Sequence, residues 1–326
     1  IAINEGTLRL AVRHCNDPAC TSSTTTIIDS APAQDESLAI GSDGLPIISY
    51  RQSGNLWVAH CSNVACSSSV RTQLHDAAES LGYFSSIGVG SDGLALISYW
   101  QISTPASLWV AHCSNTNCTA ATTVQVDNNP SGSGAYSSIA LGADGLPIIS
   151  YQAGSPNALW VAHCNDASCT SSTKTAIDTV GDGGINTAIT IGRDGLALVS
   201  HGTQAGGDLK IAHCSNVACS AATIVSADTA GLTGWGSSIS IGLDGLPIVS
   251  HTDLATGEIR LLHCGDVSCS TSTKIAFDPG VLPSNARTSL ALGADGNPVI
   301  AYFDETAGTV KVLKCSNPFC VPYFRR

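Results

Sequence analysis

Short runs rich in Leu, Ile, Val and Ala recur along the chain, each bounded by Gly, Asn, Asp, Ser or Pro. Their length and punctuation predict β-strands joined by tight turns. One unit shows the pattern best. Residues 37–41 (SLAIG) form an expected strand A, and an Asp-Gly step at 43–44 turns the chain back. Residues 45–50 (LPIISY) form strand B, a loop follows, and residues 56–61 (LWVAHC) form strand C. A C-x4-C segment makes the second hairpin, and strand D runs over residues 70–75.

This unit repeats about every 50 residues. The Asp-Gly step returns at Asp43, Asp92, Asp144, Asp194, Asp244 and Asp295, and an Asp closes the units at Asp29, Asp76, Asp127, Asp178, Asp228 and Asp278. Four antiparallel strands at this period predict an all-β fold, a seven-bladed β-propeller with four-stranded blades and one disulfide per blade. A single domain is expected over 1–326, with blades at 1–36 (incomplete), 37–84, 85–137, 138–187, 188–237, 238–287 and 288–326. Residues 1–4 (IAIN) align with 47–50 (IISY), so the chain starts within strand B of its first unit. It begins at Ile1 with no initiator Met or leader, which fits a mature or excised piece of an exported precursor that carries other domains.

Strand direction sorts the loops onto two sides. The Asp-Gly turns and the C-x4-C hairpins share one side, and these elements recur. The B–C loops and D–A connections share the other, and they differ between units, as 101–107 (QISTPAS) and 131–136 (SGSGAY) illustrate. A fold needs the same residue in every blade, whereas one asymmetric ligand needs residues that differ. A specific site is therefore expected on the B–C/D–A side.

Composition narrows the function classes. Fourteen Lys and Arg stand against 25 Asp and Glu, for a net charge of −11. So acidic a chain is a poor partner for nucleic acid, and no apolar run is long enough for membrane insertion. Fourteen cysteines imply an oxidising compartment, hence a secreted, extracellular or cell-surface location. They fall in seven pairs, Cys15–Cys20, Cys61–Cys66, Cys113–Cys118, Cys164–Cys169, Cys214–Cys219, Cys264–Cys269 and Cys315–Cys320, whose flanking positions are expected to face each other across the hairpin as disulfides. The alternative, metal, finds only two thiolates per blade, because the adjacent His points to the opposite side of the strand. No bound metal or other cofactor is expected from these pairs.

Three sets of residues carry candidate chemistry. His14, His60, His112, His163, His213 and His263, with Lys314 in the seventh place, read as structural ties from strand C to the Asp-Gly turn, Asp43 with His60 being one pair. The residue ending strand B is Tyr50, Tyr99, Tyr151, His201, His251 and Tyr302 in successive units, and strand A opens with Tyr83, Phe84, Tyr136, Trp235 and Arg287. Aromatic rings beside polar groups grip sugars and proteins, so Tyr50, Tyr99, Tyr151, His201, His251, Tyr302, Phe84, Tyr136, Trp235 and Arg287 form the expected binding set. The competing assignment is packing between blades. Finally, His201 and His251 with Asp253, Asp304 and Glu305 could hold a divalent cation or serve as acid and base, although loop polarity explains the carboxylates too.

The sialidase Asp box, the integrin-type calcium loop, the Trp-Asp dipeptide of WD40 blades and the double glycine of kelch blades are absent. Blades reading A-D-G-L-P-I-I-S-Y and then L-W-V-A-H-C-x4-C resemble a class of secreted bacterial propeller repeat proteins along essentially the whole chain. That resemblance implies an extracellular module without an assigned chemistry. In outline the chain is also similar to seven-bladed bacterial lectins. The function expected is an extracellular or cell-surface binding or structural module that takes a glycan or an extracellular protein partner. The alternatives are a hydrolase or lyase working through His201, His251, Asp253 and Asp304, or a subunit of a larger assembly.

Overall fold

The computed structural model describes residues 1–5, 9–75, 80–204, 207–277, 287–304 and 306–321, with only the backbone described at 4 and 5. Twenty-five strands make six antiparallel sheets among these residues. The first contains β1 (Ala2–Glu5), β2 (Arg9–Cys15), β3 (Ser23–Ile40), β4 (Pro46–Gln52), β5 (Asn55–Cys61) and β6 (Ser69–His75). The second contains β7 (Tyr83–Val89), β8 (Ala95–Gln101), β9 (Ser107–Cys113) and β10 (Ala121–Asp127). The third contains β11 (Ser133–Leu141), β12 (Pro147–Ala153), β13 (Ala158–Cys164) and β14 (Ser172–Asp178). The fourth contains β15 (Ile185–Ile191), β16 (Ala197–Gly202), β17 (Leu209–Cys214) and β18 (Ala222–Asp228). The fifth contains β19 (Trp235–Ile241), β20 (Pro247–Asp253), β21 (Glu258–Cys264) and β22 (Ser272–Phe277). The sixth has three strands, β23 (Thr288–Leu292), β24 (Pro298–Asp304) and β25 (Thr309–Lys314).

Six blades, not seven, therefore form. The cause is β3, an 18-residue strand that runs unbroken from the first unit into the second. Its first half pairs with β2 (Leu10 opposite Asp29) and its second half with β4 (Leu38 opposite Ile48). The connection expected between D and A is thus continuous strand, and two sequence units share one six-stranded sheet. The chain also divides into two compact units, Ile1–Asp17 with Thr21–Ala176, and Pro18–Cys20 with Ile177–Arg326.

The B strands lie in the core and are buried on both faces over five consecutive residues. In β4, β8 and β12 the side chains of Ile48, Ile97 and Ile149 are fully buried, with Val58, Val110 and Val161 on the neighbouring strands. The Asp-Gly turn is built the same way in each unit. In the second, the Gly41 N–H donates to the Leu45 carbonyl (2.8 Å), and the Leu45 N–H donates to Asp43 Oδ1 (3.0 Å). Asp43 Oδ2 lies 3.0 Å from His60 Nε2, so one carboxylate ties the turn to strand C as expected. The pairs His112–Asp92, His163–Asp144, His213–Asp194 and His263–Asp244 repeat it at 2.9, 2.9, 2.8 and 3.1 Å, and Lys314 meets Asp295 in the last unit.

The glycine two residues before each Asp makes room for this carboxylate. A methyl group on Gly142 would lie 2.7 Å from Asp144 Oδ1 and 3.1 Å from the Leu146 carbonyl. Gly142→Ala is therefore expected to destabilise by about 1–3 kcal/mol in urea titrations. An unchanged midpoint would show that the turn has slack.

All fourteen cysteines are disulfide-bonded. Six bridges join the expected C-x4-C partners, with Cα–Cα distances of 4.8 Å for Cys61–Cys66 and 4.9 Å for Cys113–Cys118, leaving Cys15 and Cys20 as the seventh pair. Their placement differs from expectation. Cys61 faces Ser69 across the ladder, not Cys66. Cys66 sits in the turn at φ +53°, its N–H donating to the Asn63 carbonyl (2.9 Å). The bridge thus ties a strand end to its own turn, because the left-handed bend at the second cysteine folds it back.

Candidate functional site

Strand B is longer than its sequence pattern suggests, and this relocates the expected binding set. β4, β8 and β12 continue two residues past Tyr50, Tyr99 and Tyr151, so these rings lie inside the ladder. Tyr50, Tyr99, Tyr151, His201 and His251 have no exposed surface, and Tyr302 has 6%. As they stand these rings pack within the sheets rather than line a mouth.

Their polar tips meet the Asp that closes the preceding unit. The Tyr50 hydroxyl donates to Asp29 Oδ2 (3.1 Å), and the Tyr151 hydroxyl to Asp127 Oδ2 (3.0 Å). His201 Nε2 lies 3.5 Å from Asp178 Oδ2, and His251 Nε2 lies 3.1 Å from Asp228 Oδ2. The same carboxylates accept from the backbone two residues on, as at Asp29 with the Ala31 N–H (3.0 Å) and Asp228 with the Ala230 N–H (3.2 Å). In the second unit His75 Nδ1 lies 2.6 Å from the Tyr99 hydroxyl. Asp76, Asp278 and Glu305 lie outside the described residues.

A cation completes most of these sets. Arg71 meets Asp29, Lys174 lies 3.5 Å from Asp127, Lys210 lies 2.8 Å from Asp178, and Arg260 and Lys274 lie 3.1 and 3.0 Å from Asp228. The strand C partner also varies. Trp57, Trp109 and Trp160 stand opposite Tyr50, Tyr99 and Tyr151, whereas Lys210, Arg260 and Lys311 stand opposite His201, His251 and Tyr302.

Burial pushes the Tyr50, Tyr99 and Tyr151 phenols up, so they remain donors. Burial also pushes His201 down to about 4, against the pull of Asp178, and lowers His251 against the pull of Asp228. A hydrogen bond from the Gly184 N–H to His201 Nδ1 (3.2 Å) needs the same neutral ring. The sign of the stability change follows. Below pH 6.5 the unfolded chain protonates these histidines and the folded chain does not, so stability is complete above 6.5 and falls toward pH 4. Each histidine contributes up to about 1.4 kcal/mol per pH unit. Urea midpoints at pH 7.5, 6 and 5 are expected to fall in that order. The Asp228 carboxyl, held low despite burial by His251 and Lys274, adds a further loss only below pH 3.8.

The acid–base corner separates into two local networks. Asp253 is buried and accepts from the Leu232 and Ala255 N–H groups (3.1 and 2.9 Å) and from Arg260 Nη2 (2.6 Å). Asp304 accepts from the Ala307 N–H and pairs with Lys311 at 2.9 Å. Both carboxylates tie down their own loops. Among the described residues no three His, Cys, Asp or Glu side chains gather to hold a metal ion.

The remaining aromatics Tyr83, Phe84, Trp100 and Tyr136 assemble in the first of the two compact units, on the B–C/D–A side. The ring centroids of Phe84 and Tyr136 lie 4.5 Å apart, Phe84 stacks on Trp100 at 5.7 Å, and Tyr83 meets Trp100 edge-on at 6.1 Å. Arg51 lies over the outer face of this group, 3.9 Å above the Tyr83 ring. Phe84, Trp100 and Tyr136 line a cleft of about 300 Å³ together with Ser131, Gln152 and Asn157. Its walls come from the starts of β7 and β11, the ends of β8 and β12, and the loops before β9, before β11 and after β12.

Phe84 and Tyr136 are held there by unusual backbone. They sit at a bulge where strand A begins, at φ +50° and +56°. Asp35, Asn186 and Gly236 occupy the matching positions at φ +55°, +48° and +57°. A hydroxyl from the next unit holds the bulges at Asp35, Phe84, Asn186 and Gly236. Ser85 donates to the Asp35 carbonyl (2.6 Å), Ser137 to that of Phe84 (3.1 Å), and Ser237 to that of Asn186 (3.2 Å). Asp, Asn and Gly suit a left-handed position, whereas bulky rings are disfavoured there.

Trp100 lies outside the expected binding set, one residue past Tyr99. Its signal lies in the next column, Arg51, Trp100, Gln152, Gly202, Thr252 and Phe303, where no residue repeats. Trp235 and Arg287 belong to the second unit. Trp235 is half-buried with its carbonyl accepting from the Thr252 hydroxyl (2.9 Å), and Arg287 is exposed ahead of β23.

No family model matches the sequence, and no curated protein matches it. Solved structures do. A protein of unknown function from Dyadobacter fermentans aligns with 86% of this chain and 93% of its own, at a TM-score of 0.66 and 11% identity. The fold is a β-propeller. A Hadza microbial sialidase aligns at a TM-score of 0.60 and 12% identity, covering 86% of this chain and 65% of its own. An ulvan lyase, a polysaccharide lyase bound to a GlcA-containing saccharide, aligns at 0.54 and 11%, covering 81% of this chain and 78% of its own. Identities this low establish shared architecture and no more.

Proposed function

We propose that the chain is an extracellular carbohydrate-binding module whose site is the cleft bordered by Phe84, Trp100 and Tyr136. One observation carries this reading. Two bulky aromatics occupy left-handed positions that cost about 1–3 kcal/mol each, where Asp, Asn and Gly serve in other units. The fold has no need of rings there, whereas a ligand does. Three rings beside amides and hydroxyls match the chemistry of a sugar, whose C–H face packs on an aromatic ring while its hydroxyls seek polar partners.

Binding is favoured over hydrolysis or elimination because none of the described residues lining the cleft is a carboxylic acid or imidazole. Most glycosidases use a pair of carboxyl groups beside the bond they break. Propeller neighbours include a sialidase and a polysaccharide lyase, which agrees with a carbohydrate role in this architecture. Fourteen oxidised cysteines support an extracellular location.

The test is Tyr136→Asn, scored on a glycan array and by thermal unfolding. Asn186 already serves at the matching bulge, so folding is expected to survive. Affinity is expected to fall at least about tenfold, the loss of about 1.4 kcal/mol of ring contact. Unchanged binding would remove the cleft from consideration. A large loss of stability would return Tyr136 to a packing role.

A further inference from the structure

We infer that the cleft selects an uncharged saccharide over a uronate or sialylated one, a conclusion that rests on the carbohydrate reading above. Among the described residues the lining is apolar or neutral throughout. Phe84, Trp100 and Tyr136 supply rings, and Ser131, Gln152 and Asn157 supply hydroxyl and amide groups. None of these described lining residues is Lys, Arg or His. The cation on the outer side of the aromatic group, Arg51, is committed elsewhere. Its Nε pairs with Asp35 at 3.3 Å, its Nη2 donates to Gln34, and its plane covers Tyr83.

Three forces then act against an acidic sugar. A carboxylate entering the cleft gives up water without gaining an ionic partner. It also meets the electron-rich faces of aromatic rings, which attract cations and the weakly positive C–H groups of a sugar. The net charge of −11 repels it from a distance. A neutral pyranose avoids all three penalties, and its hydroxyls can both donate to and accept from the amide of Asn157. At about 300 Å³ the cleft lies at the small end of ligand pockets, so it takes one or two sugar rings rather than a long chain segment.

The experiment uses the full chain on an array of matched glycans, each neutral hexoside beside the uronide of the same configuration and linkage. Hits are then followed by calorimetry at low and high salt. The neutral member is expected to bind at least about tenfold more tightly, with less than about a twofold change on raising salt from about 0.05 to 0.5 M. Asn157→Lys, which places a cation on the rim, is expected to narrow the neutral preference by about fivefold or more. Equal or tighter binding of the acidic member by the wild type would overturn the inference and leave the carbohydrate reading standing. No binding to either member across the array would overturn both. Should Asn157→Lys fail to fold, the wild-type comparison decides alone.

Discussion

Asp228→Ala is expected to destabilise the chain by about 3–5 kcal/mol, a large effect for one side chain. The Asp228 carboxylate is fully buried and meets three groups at once, His251 Nε2 at 3.1 Å, Arg260 Nη1 at 3.1 Å and Lys274 Nζ at 3.0 Å. Its removal strands a buried imidazole donor and leaves a second buried carboxylate, Asp253, as the main partner of Arg260. Lys274 is 40% exposed and can turn to water, which limits the loss. The contrast is Asp295, half exposed beside Lys314, whose replacement is expected to cost much less. Urea titrations of both variants would check the order. Equal losses would mean that the buried network contributes little beyond surface charge pairing.

Reducing and alkylating the seven bridges is expected to unfold the protein at neutral pH. Each closes a loop of six residues, and loop-closure entropy assigns about 2 kcal/mol to a ring that short. Seven such terms approach the whole stability of an ordinary domain, about 5–15 kcal/mol. The cysteines are also hard to reach, since Cys61, Cys66, Cys118 and Cys164 have no exposed surface. A mild reductant alone should therefore act slowly, and urea should speed it. Thiol titration of the denatured, unreduced chain is expected to find no free cysteine. Survival of a cooperative transition after full reduction would show that the sheets hold without their bridges.

The period, the strands and the disulfide partners were legible because they recur. Asp43, Gly44, His60 and Cys61 appear at matching places in most units, and each has a local job that any unit must perform. Blade count was not legible, because the D–A step of the first unit contains Pro32 and Asp35, which read as a turn, yet β3 runs through both. Proline has no N–H to offer the ladder, but Pro32 stands opposite Arg9 at the start of β2, and pairing with β4 begins only at Ala33, so the strand continues across the margin of both pairings. The tyrosines misled for a related reason. A strand two residues longer than its apolar run moves the end of strand B inward, so variation at Tyr151 and His201 reflects an exchange of buried partners, Trp160 for Lys210. Trp100 and the bulge at Tyr136 needed φ angles and ring distances that no single sequence displays.

The claim that the Phe84–Trp100–Tyr136 cleft takes a saccharide is tested most directly by a crystal structure with the tightest neutral glycan from the array. A sugar ring stacked about 4 Å from the face of Tyr136 or Phe84, with hydroxyls on Asn157 or Gln152, is the predicted result. A glycan bound beside Trp235 and Arg287 instead, with the cleft empty at saturating ligand, would contradict the account.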